Sequence, residues 1–186
     1  AVPRGLVVAG KADLTTLSQN VPAVTPYISG GTLVLKANMA EPKDGMWKLG
    51  FSAQGQGVGV TLPEIGSLPG LQVQAQGILE AGKGAVVSLD DLQLTAEGPG
   101  GKLLLGKLDW RKGGAVAWES ARIPSGWVAL LAKPWLQPNR WVNGDLVLGT
   151  GFWEPGEHGS SGEIDVTLLE ARLSEKLALE PLSLRL

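Results

Sequence analysis

Cysteine is absent from this chain, so disulfides, thiol nucleophiles and thiolate metal ligands are excluded, and the redox state of its compartment is left open. Histidine is nearly absent. The single one, His158, lies in the turn-like run Gly156-Glu157-His158-Gly159, where a solvated turn residue is the expected role. A nucleophilic triad or a zinc site therefore has little to be built from. Basic clusters are missing too: 16 Lys and Arg are spread singly among 18 Asp and Glu, for a net charge of −2. Without the cationic footprint that a phosphate backbone requires, nucleic acid is not an expected partner. No apolar run approaches the ~18 residues of a membrane-spanning helix.

Two further routes to chemistry also close. The only adjacent acidic pair, Asp90-Asp91, sits between two short strand patterns and is expected to be a hairpin turn using Asp for local backbone hydrogen bonds. Gly98 to Gly101 and Gly55-Gln56-Gly57-Val58-Gly59 lack the following helix that a phosphate-cradling loop needs. The expectation is a non-enzymatic chain with no catalytic residues, no cofactor and no metal.

What is present is turn material and alternation. The 27 Gly and 12 Pro punctuate a chain rich in Leu and Val. In Thr32–Met39 the residues Leu33, Leu35, Ala37 and Met39 share one face, with Val34 the exception on the other; in Leu71–Gln76 three glutamines oppose three apolar residues. Further strands are expected at Met46–Ala53, Val58–Leu62, Ala85–Leu89, Leu92–Ala96, Lys102–Trp110, Val116–Arg122, Val142–Leu148, Glu163–Leu169 and Leu177–Leu186. Turn signals such as Pro42-Lys43-Asp44-Gly45 and Lys112-Gly113-Gly114 separate most of them and favour hairpins. In Lys102–Trp110, Trp110 alternates with Leu108, Gly106 and Leu104, which places all four on one face.

Two short helices interrupt the strands. Asp13 is expected to cap one with Leu14, Leu17 and Val21 on its apolar face, and Ser125 another carrying Trp127, Leu130 and Leu131. Leu14, Leu17, Gly31, Leu33 and Leu35 map at one constant spacing onto Trp127, Leu130, Gly144, Leu146 and Leu148, a weak repeat of 12–40 in 125–153. The fold expected is mainly β: a long curved antiparallel meander, open like a half-barrel, with two short helices. The chain starts at Ala1 without Met and stops inside an alternating Leu pattern, so 1–186 is read as one continuous β-rich fragment of a larger protein, whose sheet edges continue into neighbouring segments.

If the strands pair in order, Leu33, Leu35, Met39, Leu71, Val73, Leu92, Leu94, Leu146, Leu148, Ile164, Val166 and Leu168 share one surface. That surface is either half of a closed core or an open apolar trough; pattern alone supports both. Of the seven tryptophans, Trp135 and Trp141, which flank Pro138 in a connection, are the ones expected to be exposed; a stacking platform would use these or Trp153. This leaves room for a second function, a β-sandwich adhesion or carbohydrate-binding module that stacks sugar on them. A third is a secretion-system component that adds a partner strand at the sheet edge.

The runs Gly30–Ala37 (GGTLVLKA), Leu89–Ala96 (LDDLQLTA), Gly101–Trp110 (GKLLLGKLDW) and Trp141–Gly151 (WVNGDLVLGTG) give the chain a texture that resembles the AsmA-like superfamily, which includes TamB- and YhdP-like envelope proteins. The resemblance implies a parent protein anchored in the inner membrane of a Gram-negative bacterium and projecting through the periplasm as a curved sheet with an apolar interior. It also implies a role in phospholipid transport or outer-membrane assembly, with acyl chains or apolar segments of envelope proteins as partners. No active-site residue comes with it. The heavy use of Trp and Pro between 118 and 155 departs from the family's regular texture.

Overall fold

The computed structural model describes residues 6–20, 25–40, 42–62, 66–82, 85–132, 143–157, 159–174, 177–178 and 182–185. Along the chain run β1 (Leu6–Asp13), α1 (Leu14–Asn20), β2 (Ile28–Met39), β3 (Met46–Leu62), β4 (Gly66–Gly82), β5 (Ala85–Gly98), β6 (Gly101–Arg111) and β7 (Val116–Ile123). Then come α2 (Ser125–Ala132), β8 (Asn143–Gly156), β9 (Gly159–Ser174), β10 (Leu177–Ala178) and β11 (Leu182–Arg185). Each strand from β1 to β9 pairs antiparallel with the next, and β10 and β11 both pair with β9. The result is one open, unclosed sheet with two short helices, as the alternation predicts.

The turns explain the meander. Between β2 and β3, Lys43 and Met46 exchange two backbone hydrogen bonds of 3.0 and 2.9 Å around Asp44 (φ 54°) and Gly45 (φ 76°). Two left-handed central residues make a two-residue hairpin loop whose twist matches that of the strands it joins.

Several strands are longer than their patterns suggest, because β-bulges break the period without ending the strand. One inserted residue flips every side chain beyond it. In β6 the apolar face carries Leu103 and Leu105, then Leu108 and Trp110, with Gly106 and Lys107 between. In β7 Ser120 and Glu119 stand between Ala121 and Trp118; in β8 Gly149 and Thr150 stand between Leu148 and Gly151. Leu105 pairs with Ala121 and Ala121 with Leu148, while Leu108 pairs with Trp118 and Trp118 with Gly151, so the three insertions lie side by side.

This corrects four expectations. Gly106 and Leu104 do not share a face with Trp110: Leu104 pairs with Thr95 and Arg122 on the polar side and is 38% exposed. Asp90-Asp91 is not a hairpin turn; it is a bulge within β5, with Asp91 at φ 51°, and the two strands expected on either side of it are one. Met46–Ala53 and Val58–Leu62 are likewise a single strand, bulged between Gly55 and Val58. β1 was not expected at all, because Leu6-Val7-Val8-Ala9 is apolar on both faces and shows no alternation.

The helices lie on the apolar side of the sheet, at the end where β3 turns into β4 and β5 into β6. There Leu14 of α1 and Trp127 of α2 join Val58, Leu68, Leu71 and Ala96 in the one buried cluster among the described residues. Asp13 caps α1 as expected, its Oδ1 accepting from the amides of Thr15 (2.8 Å) and Thr16 (3.2 Å). The buried stripe of α1 is Leu14 and Ser18, however, not Leu14 and Leu17, which is exposed; Val21 lies outside the described residues. Ser125 does not cap α2. The Pro124 carbonyl accepts from Trp127 and Val128, and Asp145 Oδ1 of β8 accepts from the Ser125 amide at 3.1 Å.

α2 is seated through glycine. A Cβ at Gly126 would stand 2.7 Å from the Cα and carbonyl oxygen of Gly100, in the β5–β6 turn, so the two backbones touch. Trp127 Nε1 donates to the Gly101 carbonyl at 3.3 Å across the same junction.

Two substitutions separate the packed end from the polar face. Leu71→Ala, at a site 2% exposed, is expected to lower stability by about 2–5 kcal/mol in urea unfolding. Leu104→Ala is expected to change it by no more than ~0.5 kcal/mol, where a core position in the same strand would give a multi-kcal/mol loss.

Candidate functional site

The register turns the alternation of single strands into continuous rows. Gly10, Leu35, Ala53, Ala75, Leu94, Leu105, Ala121, Leu148 and Val166 are successive partners from β1 to β9, and every one is apolar. On one side, Ala12, Leu33, Gly55, Val73, Ala96 and Leu103 form the neighbouring row, continued by Ile123, Leu146 and Leu168. On the other, Val8, Ala37 and Phe51 lead by way of Gly77 to Leu92, Leu108, Trp118, Gly151 and Ile164. Beyond that run Leu6, Met39, Leu49, Leu79, Leu89, Trp110, Val116, Trp153 and Gly162.

All twelve apolar positions singled out in the sequence fall on this face. Leu33, Val73, Leu146 and Leu168 share one row, and Leu35, Leu94, Leu148 and Val166 the next. Leu92 and Ile164 lie in the third and Met39 in the fourth, while Leu71 is spent in the packed cluster under the helices. Sequence reasoning missed Leu103 and Leu105, because the bulge at Gly106 puts them out of phase with Trp110. It also missed Val8, Phe51, Leu79 and Trp118. The signal that finds them is cross-strand pairing, which one strand's pattern does not contain.

Among the described residues no second sheet covers this face, and the helices roof only its one end. Leu94, Leu105, Leu148 and Val166 are half-buried and Leu35 is 40% exposed; on the opposite face Gln54, Gln74 and Gln93 are exposed, while Thr95, Val147, Asp165 and Thr167 are half-buried. The apolar face crosses β1 to β9, roughly 38 Å at ~4.8 Å per strand.

The outer face is polar. Gln76 Nε2 donates to Gln93 Oε1 at 2.9 Å, and a shallow hollow of about 450 Å³ beside it is lined by Lys36, Asn38, Ser52 and Asp91 among others. A second, of about 400 Å³, is lined by Lys107, Asp109, Glu119, Thr150, Glu163 and Asp165. No group of His, Asp and Glu among the described residues is arranged to hold a metal. His158, Trp135 and Trp141 lie outside the described residues.

The bulges place charge on this outer face. Lys107, an inserted residue of β6, reaches Asp91 of the β5 bulge at 3.2 Å, Glu119 of the β7 bulge at 3.4 Å and Asp109 at 3.8 Å. Asp109 Oδ1 also accepts from the Asp91 amide at 2.8 Å. The hydrogen bond to Asp91, then that to Glu119, and then the charge of Asp109 raise the Lys107 ammonium above its ordinary pKa of 10.5. Next to this cluster Arg111 pairs with Asp90, and Arg122 donates through Nε and Nη2 to Asp145 Oδ2.

On the apolar side of the same bulge line, Trp118 covers Gly151. A Cβ at Gly151 would overlap the indole ring and stand 2.6 Å from the Glu163 carbonyl oxygen. The Trp118 Nε1 is buried there with no hydrogen-bond partner, which costs stability.

No family model, curated protein or solved structure matches this chain.

Gly151→Val is expected to unseat Trp118, read as loss of near-ultraviolet circular dichroism together with a lower urea midpoint; an unchanged spectrum would mean that the ring does not rest there. For Lys107 the folded state raises the pKa, so its stabilisation is complete below the ordinary value and is lost as pH rises through the folded one. The urea-midpoint difference between the wild type and Lys107→Met should therefore persist at neutral pH and vanish in strong alkali. A gap that closes on acidification through the neutral range instead would point away from the lysine.

Proposed function

We propose that the chain is a non-enzymatic lipid-handling segment whose apolar trough holds acyl chains. The observation that carries this reading is the unbroken row from Gly10 to Val166: nine strands contribute an apolar residue each, and no second sheet among the described residues covers them. Burying an acyl chain in such a row is worth ~0.8 kcal/mol per CH₂, and the absence of polar interruptions lets the chain slide from strand to strand without meeting a step.

The texture shared with the AsmA-like superfamily supports the same reading and supplies its setting. In that setting the chain is a periplasmic part of a protein anchored in the inner membrane, contributing to phospholipid transport or outer-membrane assembly. The sugar-stacking alternative has less behind it. Trp153 is exposed, but it shares its row with Trp110 and Val116, and that face offers no carboxylate or amide side chain to read hydroxyl groups.

Native mass spectrometry with lipid extraction tests this on the purified chain and on Leu35→Asp and Leu146→Asp, each checked for folding by circular dichroism. Co-purified phospholipid that is lost in the folded variants supports the trough. A wild type that carries no lipid and takes none up from vesicles, beside variants that simply unfold, overturns it.

A further inference from the structure

The trough has two unlike rims, and from this we propose the direction in which a lipid lies in it: the hairpin rim is the port through which a glycerophospholipid enters and over which its headgroup stays in water, and the helical rim is closed. This deepens the function proposed above and rests on it.

The meander turns alternate between the two rims. At one, α1 and α2 stand on the apolar face and bury Leu14, Trp127, Leu68 and Leu71 between helix and sheet. At the other, where the β2–β3, β4–β5, β6–β7 and β8–β9 turns lie, no described residue is helical, and the outermost row from Leu6 to Gly162 has no helix over it among the described residues. Trp47 is 44% exposed and Trp153 42% exposed, with Trp110 between them in strand order and half-buried. Three indoles along the open rim, and Trp127 alone at the closed one among the described tryptophans, is the placement expected where hydrocarbon meets water, because an indole has an apolar body and one N–H to offer a polar boundary.

The occupant is a lipid rather than a peptide strand because the four rows contain no Ser, Thr, Asn, Gln or charged side chain. An extended peptide laid across them would leave backbone amides without partners, whereas an acyl chain has none to satisfy. At the open rim Lys48 pairs with Glu80 at 3.2 Å and Arg111 with Asp90, and Lys43, Asp44, Lys112, Glu154 and Glu157 add two positive and three negative charges, so the described rim is close to neutral. A rim so balanced grips the chains and is indifferent to headgroup charge.

The test uses the full chain with phosphatidylcholine vesicles containing a photoreactive lipid, carrying its diazirine either on the headgroup or at the end of an acyl chain, with the cross-linked residues mapped by mass spectrometry. Chain-end labels are expected on the rows, at Leu35, Leu105 or Leu148, and headgroup labels around Trp47, Trp110 and Trp153. Headgroup labels at α1 and α2, or spread evenly over both rims, overturn the proposal while leaving the trough intact. Absence of chain-end labels from the rows overturns the underlying function as well. A second arm measures uptake rate. Trp47→Lys with Trp153→Lys should slow it about five-fold or more, because a charge is placed in the apolar path, and Gln19→Lys on the exposed side of α1 should not; equal rates in the two variants overturn the port. Replacing half the phosphatidylcholine by phosphatidylglycerol should leave uptake within about two-fold, since paired rim charges attract neither sign strongly; a larger dependence overturns the claimed indifference.

Discussion

Parity is the constraint on which this structure depends. In a strand the two faces alternate residue by residue, so a sheet of nine long strands keeps one apolar face only if every irregularity in one strand is matched in the next or absorbed at its own position. The bulges of β6, β7 and β8 are matched: each adds one residue between the same two rows. The β5 bulge at Asp90-Asp91 is absorbed one row away, with Asp91 in a left-handed conformation and its amide bound by Asp109. Were the β6 residues forced into strict alternation, Leu108 would face water and Lys107 the apolar side; the same change in β7 would turn Trp118 out and Glu119 in.

The same arithmetic decides what the sequence could disclose. Thr32–Met39 and Leu71–Gln76 have no insertion, and their faces are plain from the residues alone. The strands through Leu89–Ala96 and Lys102–Trp110 contain one, and a reader following period two either cuts the strand there or carries the wrong face onward, which is how Leu104 came to be set beside Trp110. β1 is opaque for another reason: Leu6, Val7 and Val8 give it two apolar faces. The helices were legible as helices from Asp13 and the prolines, but the cap of α2 comes from Asp145, twenty residues downstream, which no local pattern signals. The candidate face was legible as a set of residues, since all twelve positions fall on it. Its continuity was not, because continuity belongs to the pairing.

Polar and apolar roles are coupled through the bulges. Residues that step out of the apolar rows have to go somewhere, and in β5, β6 and β7 they emerge on the outer face as Asp91, Lys107 and Glu119, close enough to neutralise one another. Exposed pairs of this kind contribute little stability individually, yet here they tie three neighbouring strands at the line where the ladder is irregular. The two β–α–β connections, β1–α1–β2 and β7–α2–β8, act in concert on the inner side. Both enter their second strand through a glycine of positive φ, Gly31 and Gly144, and both deliver one large residue to the same cluster.

A trough built this way separates two properties that a closed pocket confounds. Its cross-section is intensive, fixed by strand length and by where the bulge line and the helices fall, and it stays the same whichever stretch is inspected. Its length is extensive: each further hairpin adds about two strand spacings, roughly 9.6 Å, and repeats the same walls. At β1 the rows end with Leu6 56% exposed, at an edge that no further strand among the described residues covers. Selectivity and reach can thus vary independently in such a sheet, the first by substitution within a row and the second by duplication of hairpins, as bore and length do in a pipe.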